Sequence, residues 1–361
     1  MKLIFNSIKT AVASAAGIIL SLVMNGCSLW HDDLPDCRTG IAIEFVYDYN
    51  IQRADMFNEH VGGVTVNVFD ADGNFVTSKE EFNTPGDTPL AASDYRMYLD
   101  VPPGEYRIVA HALQCGYNDA LHKKGAKFRT PQLHEGDNVG NLIARLDRNE
   151  EGKVENEGVT LDTLWHGATT RLVTVRDMEM STTGISLVRN TNDLHITLRQ
   201  LDDPADIDAE DFDVSVIDCN GKLQHDNSVD AADGTIVYTP LAQWTSEYHG
   251  NRSSDEDNVT ERTAHMQLSL SRLIYAPDDR KPAILLINNR NTGKEIARIN
   301  LPECLAGGRN LFELQNYSPQ EFLDREYNYS LDFFLRGDKW IYANLSISVP
   351  GWSKRIQNVD L

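Results

Sequence analysis

The chain contains no Cys-x-x-Cys pair, no HExxH or HxxxH spacing, no GxSxG elbow and no glycine pair leading into GK[ST]. These absences remove the local signatures of zinc sites, thioredoxin-like redox centres, α/β-hydrolases and phosphate loops. No papain-like or caspase-like context surrounds any cysteine. Basic residues are also scarce: 33 Lys and Arg stand against 54 Asp and Glu, a formal net charge of −21. A surface this acidic repels phosphate backbones, which argues against nucleic acid. It also argues against a basic peripheral contact with anionic lipid. No long amphipathic helical period is present, which disfavours Rossmann and barrel designs.

What the chain does have is a leader. Lys2 and Lys9 open it, an apolar stretch runs from Ala11 to Met24, and Asn25-Gly26-Cys27 closes it ahead of the polar segment CSLWHDDLPDC. This is the order of a secretory signal peptide, too short and poorly flanked for a stop-transfer helix. A small residue directly before a cysteine is the pattern of a bacterial lipoprotein signal. It predicts cleavage between Gly26 and Cys27, with covalent diacylglyceryl and N-acyl groups on Cys27. Each buried CH₂ adds about 0.8 kcal/mol, so several acyl chains anchor stably. Met24 stands where a stricter signal carries leucine. The alternative reading is a secreted protein whose Cys27 enters a disulfide.

Beyond the leader the hydrophobic period is two. Ile41, Ile43, Phe45 and Tyr47 alternate in Gly40–Tyr49, and Val64, Val66 and Val68 alternate before an Asp70-Ala71-Asp72-Gly73 turn. Tyr95–Val101, Glu105–Leu113, Arg171–Val175 and Thr183–Leu187 read as further strands. A second cycle follows RNTN (189–192). It comprises Leu194–Leu198, Phe212–Val216, Gly234–Tyr238, Ala264–Leu273, Ala283–Asn288, Lys294–Leu301, Asn328–Leu335 and Trp340–Val349. Two short helices are expected late, near Glu303–Leu314 and from the Ser318-Pro319 cap. The polar stretches Asp147–Gly158, Asp202–Asp211 and Glu247–Glu261 read as surface loops. The pattern predicts an all-β chain of two tandem antiparallel β-sandwiches. Its expected division is a signal peptide over 1–26, a lipidated tether over 27–39, one sandwich over 40–190 and another over 191–361. Under that division Cys37 and Cys115 share one sandwich and Cys219 and Cys304 the other. Two intradomain disulfides are open to them, Cys37 with Cys115 among these, as is a reduced state with the thiols packed as small hydrophobes.

Several segments resemble the FimB-like fimbrial anchor lipoproteins of Bacteroidales, part of the type V pilus system. They are DLPDC (33–37), YDYN (47–50), VNVFDADGNFV (66–76), WHGATT (165–170), ISLVRNTNDLHITL (185–198), SRLIY (271–275), LDREYNYSLDFF (323–334), Trp340 and the late GW (351–352). The resemblance covers nearly the whole chain after Cys27. It implies transthyretin-like β-sandwiches, no catalytic function, fimbrial stalk (fimbrillin) subunits as partners, and attachment to the cell outer membrane through the lipid. It also implies a limit on fimbrial length. The first acids after Cys27 come only at Asp32 and Asp33, later than the position that helps export related lipoproteins to the cell surface.

Other chemistry finds little support. Asp70–Gly73 lacks the ligand spacing and flanking helices of a calcium loop, and the ten histidines show no metal-ligand spacing. No metal, no cofactor beyond the lipid on Cys27 and no small-molecule substrate is expected. Trp340 and Trp352 are read first as packing residues and second as a partner contact. Ile347 and Val349 alternate in Ser346–Leu361, the candidate donor segment, but Pro350 and Gly351 interrupt it. Because shedding the N-terminus would also shed the lipid, the first strand is expected to stay in place and close its own groove. The function expected is a non-catalytic anchor of a fimbria. The alternatives are a surface module binding a glycan or host protein, and an accessory fimbrial subunit.

Overall fold

A computed structural model describes residues 39–251, 258–278, 280–310, 314–347 and 355–356. The alternating segments form strands in chain order: β1 (Gly40–Val46), β2 (Gly63–Asp70), β3 (Phe75–Phe82), β4 (Met97–Leu99) and β5 (Gly104–Leu113). An excursion over residues 114–164 carries β6 (Phe128–Arg129) and β7 (Ala144–Leu146). Then come β8 (Trp165–Ala168), β9 (Val173–Val175), β10 (Met180–Ser186) and β11 (Val188–Arg189). The second half holds β12 (Thr191–Gln200), β13 (Phe212–Asp218), β14 (Lys222–Leu223), β15 (Ile236–Tyr238), β16 (Ala242–Asn251) and β17 (Asn258–Ser271). It closes with β18 (Ile284–Asn289), β19 (Glu295–Asn300), β20 (Asn328–Arg336), β21 (Lys339–Ile347) and β22 (Arg355–Ile356).

The sheets pair off as two sandwiches. In the first, β10-β1-β4 faces β11-β8-β5-β2-β3, with β9 added alongside β5. In the second, β16-β17-β12-β20-β21-β22 faces β15-β13-β18-β19. Among the described strands, pairing is antiparallel except at two equivalent places: β1 runs parallel to β10, and β12 parallel to β20. Asn190 lies between β11, the last strand of the first set, and β12, the first of the second.

Local chemistry explains the turns and helices. Asp70–Gly73 is the β2–β3 hairpin turn. The Asp70 carboxylate accepts from the Asp72 and Asn74 amides at 3.0 and 2.8 Å, and Gly73 takes φ +86°. Helix Pro319–Arg325 starts as expected, with the Ser318 hydroxyl accepting from the Glu321 amide at 3.1 Å. The other late helix is α-helical over Leu301–Ala306 and tightens into a 3-10 turn over Gly307–Asn310, where Gly307-Gly308 disfavour a continued α-helix. The stretch Glu247–Glu261, expected as a loop, instead supplies parts of β16 and β17. Polar residues occupy both faces of these hairpin arms, which leaves no hydrophobic period to read.

The cores follow the same alternation. Ile41, Ile43 and Phe45 of β1 pack with Val64, Val66 and Val68 of β2 and Ile108 and Ala110 of β5. The second core joins Leu194, Ile196 and Leu198 of β12 with Met266, Leu268, Leu331, Phe333, Val214, Val216 and Leu285. Much of the excursion joins this second core: Ala126, Phe128, Ala144, Leu146, Val154, Leu161 and Leu164 all belong to it, while Leu133, Val139 and Leu142 pack on Phe69 and Val109 of the first half. Strand pairing fixes the attachment, since β7 pairs antiparallel with β14 (Arg145↔Lys222, Ala144↔Leu223) and Lys153 bridges Val237. Leu146 is 1% exposed. Leu146→Ala should therefore cost about 3 kcal/mol and lower the midpoint of one shared transition in a urea titration followed by tryptophan fluorescence and circular dichroism. A variant whose second half still unfolds separately at the wild-type midpoint would show that the excursion adds nothing to that core.

Candidate functional site

The first feature bearing on function is the seat of β1. Residues 40–46 pair along their whole length with β10, from Gly40↔Met180 to Val46↔Ser186, and Ile41–Ile43 pair with β4 on the other side. Burying Ile41, Ile43 and Phe45 contributes about 6 kcal/mol before entropy is counted. The entry point is pinned as well. The Met178 amide donates to the Thr39 hydroxyl at 2.8 Å, and the Gly40 amide donates to the Glu179 carbonyl at 3.3 Å. Gly40 is required by space, because a Cβ there would lie 2.3 Å from the Leu99 carbonyl oxygen. The groove of the first sandwich is thus filled by its own strand.

The second feature is the junction of the two halves, where the motif segments quoted above meet. Tyr47, just past β1, sits edge-on to Trp165 at 5.7 Å. The Arg325 guanidinium lies over Tyr49 at 4.0 Å and over Tyr317 at 4.8 Å, and donates to the Asp48 carbonyl at 3.3 Å. The Ile51 amide donates to the Arg325 carbonyl at 3.0 Å. Arg189 stacks over Tyr327 at 3.9 Å and pairs with Asp193 at 3.2 Å. The buried amides of Asn190 and Asn227 exchange hydrogen bonds at 2.6 and 3.1 Å. His166 Nε2 donates to the His225 carbonyl at 2.9 Å. Arg272 grips Asp324 in a bidentate pair at 2.8 and 2.7 Å and also donates to the Asn227 carbonyl. Desolvated arginine–aromatic contacts contribute on the order of 1–2 kcal/mol each.

These contacts are legible as motifs in the sequence, but their partners are not. Arg189, Arg272, Arg325 and Glu326 were not singled out there, and the only signal for them was their place inside RNTN, SRLIY and LDREYNY. Among the residues that were singled out, Gly26, Cys27, Cys37, Val349 and Trp352 lie outside the described residues. Cys115 is a half-buried free thiol. Cys219 and Cys304 are also free and do not pair with each other; burial pushes the Cys304 thiol up to about 12. Trp340 is half-buried, edge-on to Phe333 at 6.1 Å, and Ile347 is buried opposite Tyr329. Of the candidate donor segment, Arg355 and Ile356 pair back onto Ser346 and Leu345 of β21.

Glu326 gives the junction a pH dependence. It is 1% exposed, and burial pushes its carboxyl up to about 7 from 4.5, although its Oε1 accepts from the Tyr327 and Asn328 amides. The folded state therefore holds the proton more tightly than the unfolded chain. The stability it contributes is fully present below about 4.5 and is lost as pH rises through about 7, a difference on the order of 3 kcal/mol. The buried His111 and His166 act oppositely. Burial lowers them to about 3 and about 4, so acidification below 6.5 destabilises the fold through them. Glu326→Gln should raise the melting temperature at pH 7.5 and leave it near wild type at pH 4.5. Parallel wild-type and variant melting curves across that range would contradict the assignment.

Comparison with known proteins fits this geometry. A family model, the fimbrillin-A associated anchor proteins Mfa1 and Mfa2, matches residues 34–358. No protein of curated function matches the chain significantly. Among solved structures, a candidate adhesin from Bacteroides thetaiotaomicron is 28% identical with a TM-score of 0.70, covering 90% of this chain and 100% of its own. A candidate polysaccharide-binding protein from the same organism is 26% identical with a TM-score of 0.66, covering 88% and 98%. The fimbrial anchor protein Mfa2 of Porphyromonas gingivalis shares the fold at 16% identity and a TM-score of 0.59, covering 87% and 98%. The chain belongs to the fimbrillin-A associated anchor family, a family of fimbria-associated cell-surface proteins and not of enzymes.

Proposed function

We propose that this protein fixes a fimbria to the outer membrane through lipid on Cys27 and that its closed first sandwich limits fimbrial growth. The observation that carries the reading is the seat of β1. The strand next to the Cys27 segment is held between β4 and β10, and it fills the groove that a neighbouring subunit's strand would otherwise enter. A subunit that keeps this strand cannot act as an open acceptor there, so it terminates a polymer built by strand insertion. Keeping the strand also keeps the lipid attached to the folded body.

The strand geometry suits a mechanical load. Tension on the tether pulls β1 along its own axis, and its ladder with β10 lies along that axis. The inter-strand hydrogen bonds are then sheared together instead of opened one at a time. The excursion and the junction pass the load to the second sandwich without a loose hinge. On this reading the partners are fimbrial stalk subunits and the membrane, and the covalent lipid is the only non-protein group required.

Cys27→Ala should release a folded protein into the medium and strip fimbriae from the cells, as read by immunoblotting of fractions and electron microscopy. A variant that stays with the membrane defeats the lipid assignment. Deletion of the gene should give detached or lengthened fimbriae, and fimbriae still attached at normal length would defeat the anchor assignment.

A further inference from the structure

We propose that the free edge of β16 is a strand acceptor, which receives an extended segment of a neighbouring fimbrial subunit and seats its side chains against Trp244 and Tyr248. The proposal rests on the reading of this chain as a fimbrial anchor.

β16 is the outermost strand of the six-stranded sheet and pairs only with β17 among the described residues. Its register with β17 runs unbroken from Ala242↔Gln267 to Asn251↔Asn258, with no bulge. Every second residue of such an edge turns its N–H and C=O outward, unpaired. Proteins blunt edges of this kind with lysine, proline, bulges or a covering segment. The β16 sequence AQWTSEYHGN has no lysine, arginine or proline. At the opposite end of the same sheet, β22 from the chain's own C-terminal region pairs with β21.

The side chains fit the same role. Trp244 and Tyr248 are 43% and 68% exposed, while most large apolar groups of the fold are buried. Four residues apart on a strand, they share one face about 14 Å apart. Trp244 is already ordered: its ring lies 5.1 Å from His265 and 5.6 Å from His195, within 13° and 14° of parallel. Ser246, between the two aromatics, holds His265 Nε2 at 2.8 Å. A pre-ordered aromatic lowers the entropy cost of binding.

Charge selects the occupant. Glu261 lies opposite Tyr248 on the aromatic face, while Glu247 lies on the other face opposite Arg262, which is already tied to Asp208 at 2.7 Å. With a net charge of −21, a second copy of this chain is repelled. The fitting partner is an extended segment with apolar residues at every second position and basic residues among them.

The test uses the full-length protein and purified fimbriae. Hydrogen exchange of the β16 amides should slow when fimbriae are added. Ser246→Lys/Tyr248→Lys should reduce co-sedimentation with fimbriae at least tenfold at an unchanged melting temperature, and Tyr248→Ala alone should give a smaller loss. If the wild-type protein does not co-sediment, the anchor reading itself fails, and this proposal with it. If it co-sediments while β16 exchange and the lysine variant are unaffected, the edge assignment alone is overturned. Protection of β16 in the protein alone, with a dimer seen by light scattering, assigns the edge to a second copy and also overturns it.

Discussion

Three side chains with nowhere else to go govern the first half of this molecule. Ile41, Ile43 and Phe45 can be buried only while β1 lies between β4 and β10, and without it both neighbours lose their partner and the core opens to water. The core strands of the first half, β2, β4, β5, β8, β9 and β10, pack around that strand. The same rule recurs in the second half, where β12 lies between β17 and β20 in the same mixed parallel and antiparallel setting. The two sandwiches are therefore variations on one solution: a central first strand paired in parallel with a late one.

The halves are held in register by polar groups as much as by apolar ones. Buried amides and stacked guanidiniums are directional, so they specify one arrangement where a purely greasy interface would permit sliding. The excursion adds a hydrophobic component by placing its side chains in the second core. Together they join the two halves through both polar and apolar contacts.

Much of the scaffold was legible in the sequence because period-two alternation is a direct image of a half-buried strand. The Asp70–Gly73 turn and the Ser318 cap were legible for equally local reasons. The excursion was not, because β6, β7 and β14 are two or three residues long and carry no periodic signal. The pairing of β7 with β14 joins Arg145 to Lys222, 77 positions further along the chain (222 − 145). The β16–β17 arms were hidden by polarity on both faces. At the junction, the motifs were visible but not what Arg189, Arg272 and Arg325 touch, since stacking leaves no spacing rule. Glu326 looked like one more acid among many, and only its burial distinguishes it.

The excursion also constrains the order in which the chain can fold. β7 precedes its partner β14 in the sequence, so Phe128, Ala144 and Leu146 stay exposed until Lys222 and Leu223 have been delivered. β1 likewise waits for β10. Pairings of such long range are slow to form, because the loop-closure entropy must be met before the contacts repay it. Until β14 is in place, those apolar side chains of the excursion have no packing partner, so the first half is completed only after the second has begun to form.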